Sequence, residues 1–294
     1  MRSVIVLCDN TMGLPDKPMD DALALYYLLS KPEAIRILGV CATYGNGTAE
    51  ESAAVNRSLL RELGRGEIPV LMGAEQGERA ESEAAEFIAA AAQDAPGQIS
   101  CLSLGAVTDL YGALLLRSET LGDLREIVFM GGITAPLLFH AQPLHELNLS
   151  IDHASACAVL TGGHDLSVIT GNRCLDTAYL PGEEFFRNMV EEGTDASRLI
   201  AAHCGYRFQD KRERYGAFGS YCWDAVAAAY LAEPELFRDD PISCRITLRD
   251  MEDGYVHPAD PAESNCVLNI PAVRDPSSFP AVLYRAWRSL KVMG

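Results

Sequence analysis

Val4-Ile5-Val6-Leu7-Cys8 runs directly into Asp9-Asn10-Thr11-Met12-Gly13, and beyond Pro15 the chain resumes as Asp20-Asp21-Ala22-Leu23-Ala24-Leu25. An unbroken apolar run of this kind reads as a strand buried on both faces, as in a parallel sheet. Such a strand delivers Asp9 to its carboxyl end, where open α/β sheets place their ligands. Asp20 and Asp21 then fall on the first turn of the following helix. Three carboxylates converging on one crevice are costly without a cation, so a hard metal ion is the first expectation. The competing reading for the acidic pair is helix capping, because aspartate suits the positive end of the helix dipole.

The same alternation continues outward. Ile35–Thr43, Val70-Leu71-Met72, Ile99–Leu104, Ile127-Val128-Phe129-Met130 and Leu166–Thr170 read as strands. Thr48–Leu63, Glu83–Gln93, Val107–Leu116 and Asp152–Leu160 read as the helices between them. Such alternation implies βαβ units with right-handed crossovers. The expected fold is α/β, a single domain over residues 1–294 with an open, mostly parallel sheet flanked by helices. After Pro181 the pattern turns helical at Glu183–Glu192, Ser197–Arg207 and Cys222–Ala232. A hairpin over Ile242–Leu248 and Cys266–Leu268 precedes a closing helix, Ser278–Lys291.

Composition excludes some partners. A formal charge of −17 over 294 residues disfavours nucleic acid and anionic membrane surfaces, which attract basic proteins. Nine cysteines are scattered without a C-x-x-C pair. Several of them (Cys41, Cys101, Cys157) lie in apolar runs, as expected of reduced core thiols. Met1-Arg2-Ser3 leads at once into a strand, and no apolar run is long enough to cross a bilayer. The expectation is a cytoplasmic protein acting on a small molecule.

Further polar and glycine-rich motifs fall at strand ends. Gly45-Asn46-Gly47 is either a plain turn or an amide aimed at the Asp9 crevice. Leu104-Gly105-Ala106 offers a backbone carbonyl to a cation, and Met130-Gly131-Gly132 permits close backbone approach. Glu146 and Asn148 alternate around Leu147 and suit sugar hydroxyls, the competing reading being a solvated loop. Trp223-Asp224 at a helix start is either core plus cap or a stacking ring beside a metal ligand.

In their order these motifs resemble the inosine–uridine-preferring nucleoside hydrolase family. They are Asp9 with Asp20-Asp21-Ala22, Gly45-Asn46, Gly105-Ala106-Val107-Thr108-Asp109, Met130-Gly131-Gly132, Glu146-Leu147-Asn148 with Asp152, and Trp223-Asp224. The resemblance implies a calcium ion held by Asp21, the Leu104 carbonyl and Asp224, with Asp9 and Asp20 beside them. It implies ribose contacts from Asn46, Glu146 and Asn148, and hydrolysis of an N-glycosidic bond through an oxocarbenium-like transition state. His140 matches a position near the 5′ hydroxyl, or is a loop histidine. Trp223 stands where many members carry histidine, which tilts the substrate toward a purine-like nucleoside. A homodimer or homotetramer is also implied.

Two departures stand out. Thr11 occupies the position of the family's usual water-activating aspartate, and an insertion from Leu14 to Pro18 follows it. Threonine is no base at neutral pH. Either Asp9 or Asp20 therefore takes the proton, or the protein is a weak, nucleoside-binding relative. The stretch Ala74–Ser82 is also short, which opens the pocket to a bulky or modified base such as queuosine, unless Gly205–Ser220 forms a lid instead. An aspartyl-phosphate phosphatase is the expectation from another class, since Asp9-Asn10-Thr11 also ends a strand in that chemistry.

Overall fold

The computed structural model describes residues 1–76, 80–139, 142–175, 177–215 and 218–292. Five parallel strands begin the main sheet: β1 (Arg2–Cys8), β2 (Ile35–Ala42), β3 (Val70–Met72), β4 (Ile99–Ser103) and β5 (Glu126–Met130). Helices α1 (Asp20–Leu29), α2 (Ala49–Glu62) and α3 (Glu83–Asp94) follow β1, β2 and β3 in turn, and α4 (Thr108–Leu116) follows β4. Leu166–Ile169 pairs parallel with β5 and extends the sheet.

The far edge departs from the simple pattern. Cys266–Asn269 joins Leu166–Ile169 in parallel and then pairs antiparallel with Pro241–Arg245, which in turn carries His257–Pro258. The expected pairing of the two late strands is therefore present as the margin of the main sheet. Leu248 is not in its strand but opens a short helix, Leu248–Met251, capped by the Thr247 side chain. The segment read as one helix at Glu183–Glu192 is a helix, Gly182–Phe186, continuing into a π-helical turn, Arg187–Glu191. Asp195–Tyr215 is longer than its apolar spacing predicts.

Why this chain makes two helical layers is visible in β1. Its side chains alternate between faces. Val4, Val6 and Cys8 enter a core shared with α1 and the helix Trp223–Ala232, while Ile5 and Leu7 enter a second core with α3 and α4. The chain leaves β1 toward β2 and β3 on one side and reaches β4 and β5 on the other. The carboxyl end of β1 is thus the point where strand order reverses, which opens a crevice there.

All nine cysteines are free thiols, most of them buried in these cores. No helix of the described residues is long and apolar enough to cross a membrane.

Candidate active site

The loop leaving β1 is fixed from behind by α2. Thr48 and Glu51 form a reciprocal capping box that starts this helix. Its buried Ser52 donates to the Cys8 carbonyl at 2.9 Å, and the Asn10 side chain donates to Asn56 Oδ1 at 2.8 Å. Asp9 is thereby held at the strand end, 1 % exposed. The backbone N–H of Asn46 donates to its Oδ2. A Cβ at Gly45, whose φ is +152°, would lie 2.1 Å from that same oxygen. Gly45 is therefore the residue that lets β2 end against the Asp9 carboxylate.

The acidic pair does not cap α1. Met19 is the N-cap residue and the cap carries no side-chain bond. Asp21 instead turns its carboxylate inward, where Oδ1 accepts the Asp9 backbone N–H at 3.1 Å. Asp21 Oδ2 and Asp9 Oδ1 are buried with no hydrogen-bond partner. Across the crevice, the helix Trp223–Ala232 packs against α1 and brings Asp224 to the same place. Carboxylate oxygens of Asp20, Asp21 and Asp224 all lie within 4.8 Å of one another. Asp9 stands outside that trio and meets it through its backbone bond to Asp21.

Burial raises the carboxyls of Asp9, Asp21 and Asp224. Asp9 is pushed up to about 7 by desolvation, against the lowering effect of the Asn46 amide. Asp21 is raised well above the usual carboxylate range by desolvation and then by the charges of Asp9 and Asp224. Asp224 is raised by desolvation and by Asp20 and Asp9. Like charges this close disfavour joint ionisation unless a cation neutralises them. A hard cation accepts oxygen ligands at 2.3–2.6 Å, so oxygens up to about 5 Å apart span one ion. The orphaned Asp21 oxygen and the spacing of the trio fit such an ion.

Above the trio opens a cavity of about 410 Å³. Asp20, Asn46, Leu104, Glu146, Asn148, Trp223 and Asp224 all line it. Asn148 Nδ2 donates to the Leu104 carbonyl at 2.8 Å and to the Met130 carbonyl at 3.0 Å. Its amide thus ties the ends of β4 and β5 together.

Glu146 lines the cavity and is also tied to backbone amides. Its oxygens accept the backbone N–H groups of Gly132, Leu149 and Ser150 at 3.1, 2.9 and 2.9 Å. It therefore holds the loop after β5 as well as facing the cavity. Thr11 is fully buried and its hydroxyl donates to the Pro18 carbonyl. Neither Thr11 nor Asp9 is part of the cavity wall. His140 lies outside the described residues.

The chain's likeness to known proteins agrees with this crevice. The sequence model of the inosine-uridine preferring nucleoside hydrolase matches residues 6–273. This chain belongs to the nucleoside hydrolase family. Its members are N-glycosyl hydrolases that act on ribonucleosides and depend on a metal ion.

Uridine nucleosidase 1 of Arabidopsis thaliana is 25 % identical over 251 residues, which is 76 % of this chain and 73 % of the relative. The pyrimidine-specific ribonucleoside hydrolase RihB of Escherichia coli (strain SE11) is 25 % identical over 261 residues, 80 % of this chain and 79 % of the relative. A solved purine-preferring ribonucleoside hydrolase from Gardnerella vaginalis superposes with a TM-score of 0.82 at 18 % identity, covering 99 % of this chain and all of that one. This last likeness establishes the shared α/β fold. A phosphatase reading of Asp9-Asn10-Thr11 falls away with the family assignment.

Some wall residues escape sequence reasoning. Arg207, Ser220 and Tyr221 line the cavity beside Leu137, Pro143 and His145. Tyr221 belongs to an antiparallel pair, Tyr179–Pro181 with Gly219–Tyr221, too short to read from periodicity. Arg207 lies within Gly205–Ser220, the stretch read from the sequence as an alternative lid.

Proposed function

We propose that this nucleoside hydrolase is calcium-dependent and releases a purine-like base from its ribonucleoside. The observation that carries the proposal is the trio Asp20, Asp21 and Asp224, with an orphaned Asp21 oxygen, at the floor of a cavity walled by Trp223. Asp20, Asp21, Asp224 and the Leu104 carbonyl would hold the ion, with the Asp9 backbone N–H fixing Asp21. When bound there, calcium supplies flexible oxygen coordination for the ribose diol and Lewis acidity that lowers the pKa of a water.

The chain's own residues supply the rest. Asn46, Asn148 and Glu146 bind ribose hydroxyls, Asn148 through the amide oxygen that its two carbonyl contacts leave over. Asp20, which opens α1 on the cavity wall, accepts the proton of the attacking water. The water oxygen bonds to C1′ as the C1′–N bond breaks, and that bond's electron pair leaves with the base. Trp223 stacks on the departing base. Its indole and the edge-on ring of Tyr221, 5.8 Å away, make that wall aromatic and support a flat bicyclic base.

The second reading is a nucleoside-binding relative with weak turnover. The inward-turned Thr11 hydroxyl favours it. Chromatography of free base and ribose after incubation with a nucleoside panel, with and without chelator, separates the two. Chelator-sensitive release of base supports the hydrolase. Ribonucleoside binding with no release supports the second reading.

A further inference from the structure

The cavity is walled by three acids, Asp20, Glu146 and Asp224, and among its described lining residues Arg207 is the single lysine or arginine. That cation is held in place. Its Nη1 donates to the Asp16 carbonyl at 3.3 Å. The preceding residue, Tyr206, accepts the Gly13 N–H at 3.1 Å and donates to the Lys17 carbonyl at 3.2 Å. Lys17 in turn donates from Nζ to the Asn46 carbonyl at 2.5 Å. The inserted loop and the helix Asp195–Tyr215 are thus bonded into one wall. Pro18 and Arg207 are the parts of it that line the cavity.

We propose that Arg207 is the specificity-determining residue for the leaving base, and that it reads the N7/O6 edge of a 6-oxopurine. The inference rests on the hydrolase reading above. A guanidinium presents a planar fork of donors and recognises paired acceptors. Guanine and hypoxanthine offer N7 and O6 side by side, whereas adenine places an amino donor beside N7 and uracil offers one acceptor on its corresponding edge.

The same contact serves the chemistry. As the C1′–N9 bond breaks, its electron pair stays on the purine, and the negative charge spreads to N7 and O6. Arg207 keeps its own protons and donates hydrogen bonds to those atoms. The water oxygen forms the new bond to C1′, and the water proton passes to Asp20 and then to the departed base. Tyr206 is a positioning residue, since it holds the loop against which Arg207 is braced.

The test compares the full-length wild-type protein with Arg207→Met, Arg207→Lys and Tyr206→Phe on inosine, guanosine, adenosine and uridine. Binding of free hypoxanthine and adenine is measured in parallel by titration calorimetry. Wild type should favour the two 6-oxopurines. Arg207→Met should lower their kcat/KM by about 10- to 100-fold, the worth of a bidentate pair, with a much smaller effect on adenosine. Arg207→Lys keeps the charge without the fork and should fall between. Tyr206→Phe should raise KM for inosine more than it lowers kcat.

Hypoxanthine binding should weaken with Arg207→Met by a similar factor. An equal loss on all four nucleosides, or a wild type without 6-oxopurine preference, overturns the assignment. Wild-type protein that turns over no nucleoside sinks the hydrolase reading alone. The free-base titration then decides Arg207: preference for hypoxanthine that Arg207→Met abolishes upholds it, and equal affinities overturn it.

Discussion

The backbone N–H of Asp9 donates to Oδ1 of Asp21 at 3.1 Å, joining the end of β1 to the first turn of α1 across the inserted loop. This bond orients Asp21 so that its second oxygen faces Asp20 and Asp224 with no protein donor to satisfy it. An anionic oxygen buried in that way is a strong demand for a cation. The insertion that interrupts the family's opening motif therefore leaves the geometry of the acidic pair in register with Asp9.

Removal of Asp224 takes away one wall of the trio. Asp224→Ala should abolish calcium binding and lower nucleoside hydrolysis by more than about 100-fold, since metal assistance is worth several kcal/mol. Residual activity near wild type would refute its assignment as a ligand. Calcium calorimetry and product chromatography on the same preparation check both halves.

Trp223 is argued to stack on the base. Trp223→Ala should lower kcat/KM for purine nucleosides by about 5- to 100-fold, the range of base–aromatic stacking. An unchanged rate with a lowered melting temperature assigns the ring to packing instead.

Asp109 gives a pH signature away from the crevice. It lies in the first turn of α4 and accepts the Ala74 N–H at 2.9 Å and the Ser82 hydroxyl at 2.6 Å, both on Oδ1. Burial raises its carboxyl from 3.8 to about 6 against those two bonds. A raised carboxyl stabilises the fold fully below its unfolded pKa and loses that contribution as pH climbs through the folded value. Stability should therefore fall between about pH 4 and pH 6, by at most about 3 kcal/mol from this group. Asp109→Asn keeps the accepting oxygen and cannot ionise, so it should melt higher than wild type at pH 7.5 and converge with it near pH 4. A variant that melts lower at pH 7.5 would count against the assignment.

Gly45 tests the fit of β2 against Asp9. Gly45→Ala meets both a φ of +152° and a carboxylate oxygen 2.1 Å from the new Cβ. It should cost roughly 1–3 kcal/mol in denaturant unfolding and weaken calcium binding by displacing Asp9. Wild-type stability and affinity would show that the loop has room to adjust.

Legibility in the sequence follows from locality. The run Val4 to Cys8 announces a parallel core strand, and Asp9, Asn46 and Leu104 follow because each ends such a strand. Asp20 and Asp21 are readable as a pair, but not the inward turn that makes one of them bond Asp9, because capping and inward rotation use the same residues. Glu146 reads as a sugar-binding acid, while its three backbone donors come from a loop closed by tertiary packing. Arg207 sits on a polar helix whose pattern marks no face, and only the contact of that helix with the inserted loop brings it to the cavity. The late strands at the sheet margin are short, and their pairing is set by neighbours more than 20 residues apart in the chain.

Calorimetric titration of calcium into metal-free protein bears most directly on the acidic trio. The expected result is saturable binding of one ion per chain, accompanied by a rise in melting temperature that grows with calcium concentration, as ligand linkage requires. Absence of saturable binding, with no shift in melting temperature, would contradict a cation site built from Asp20, Asp21 and Asp224.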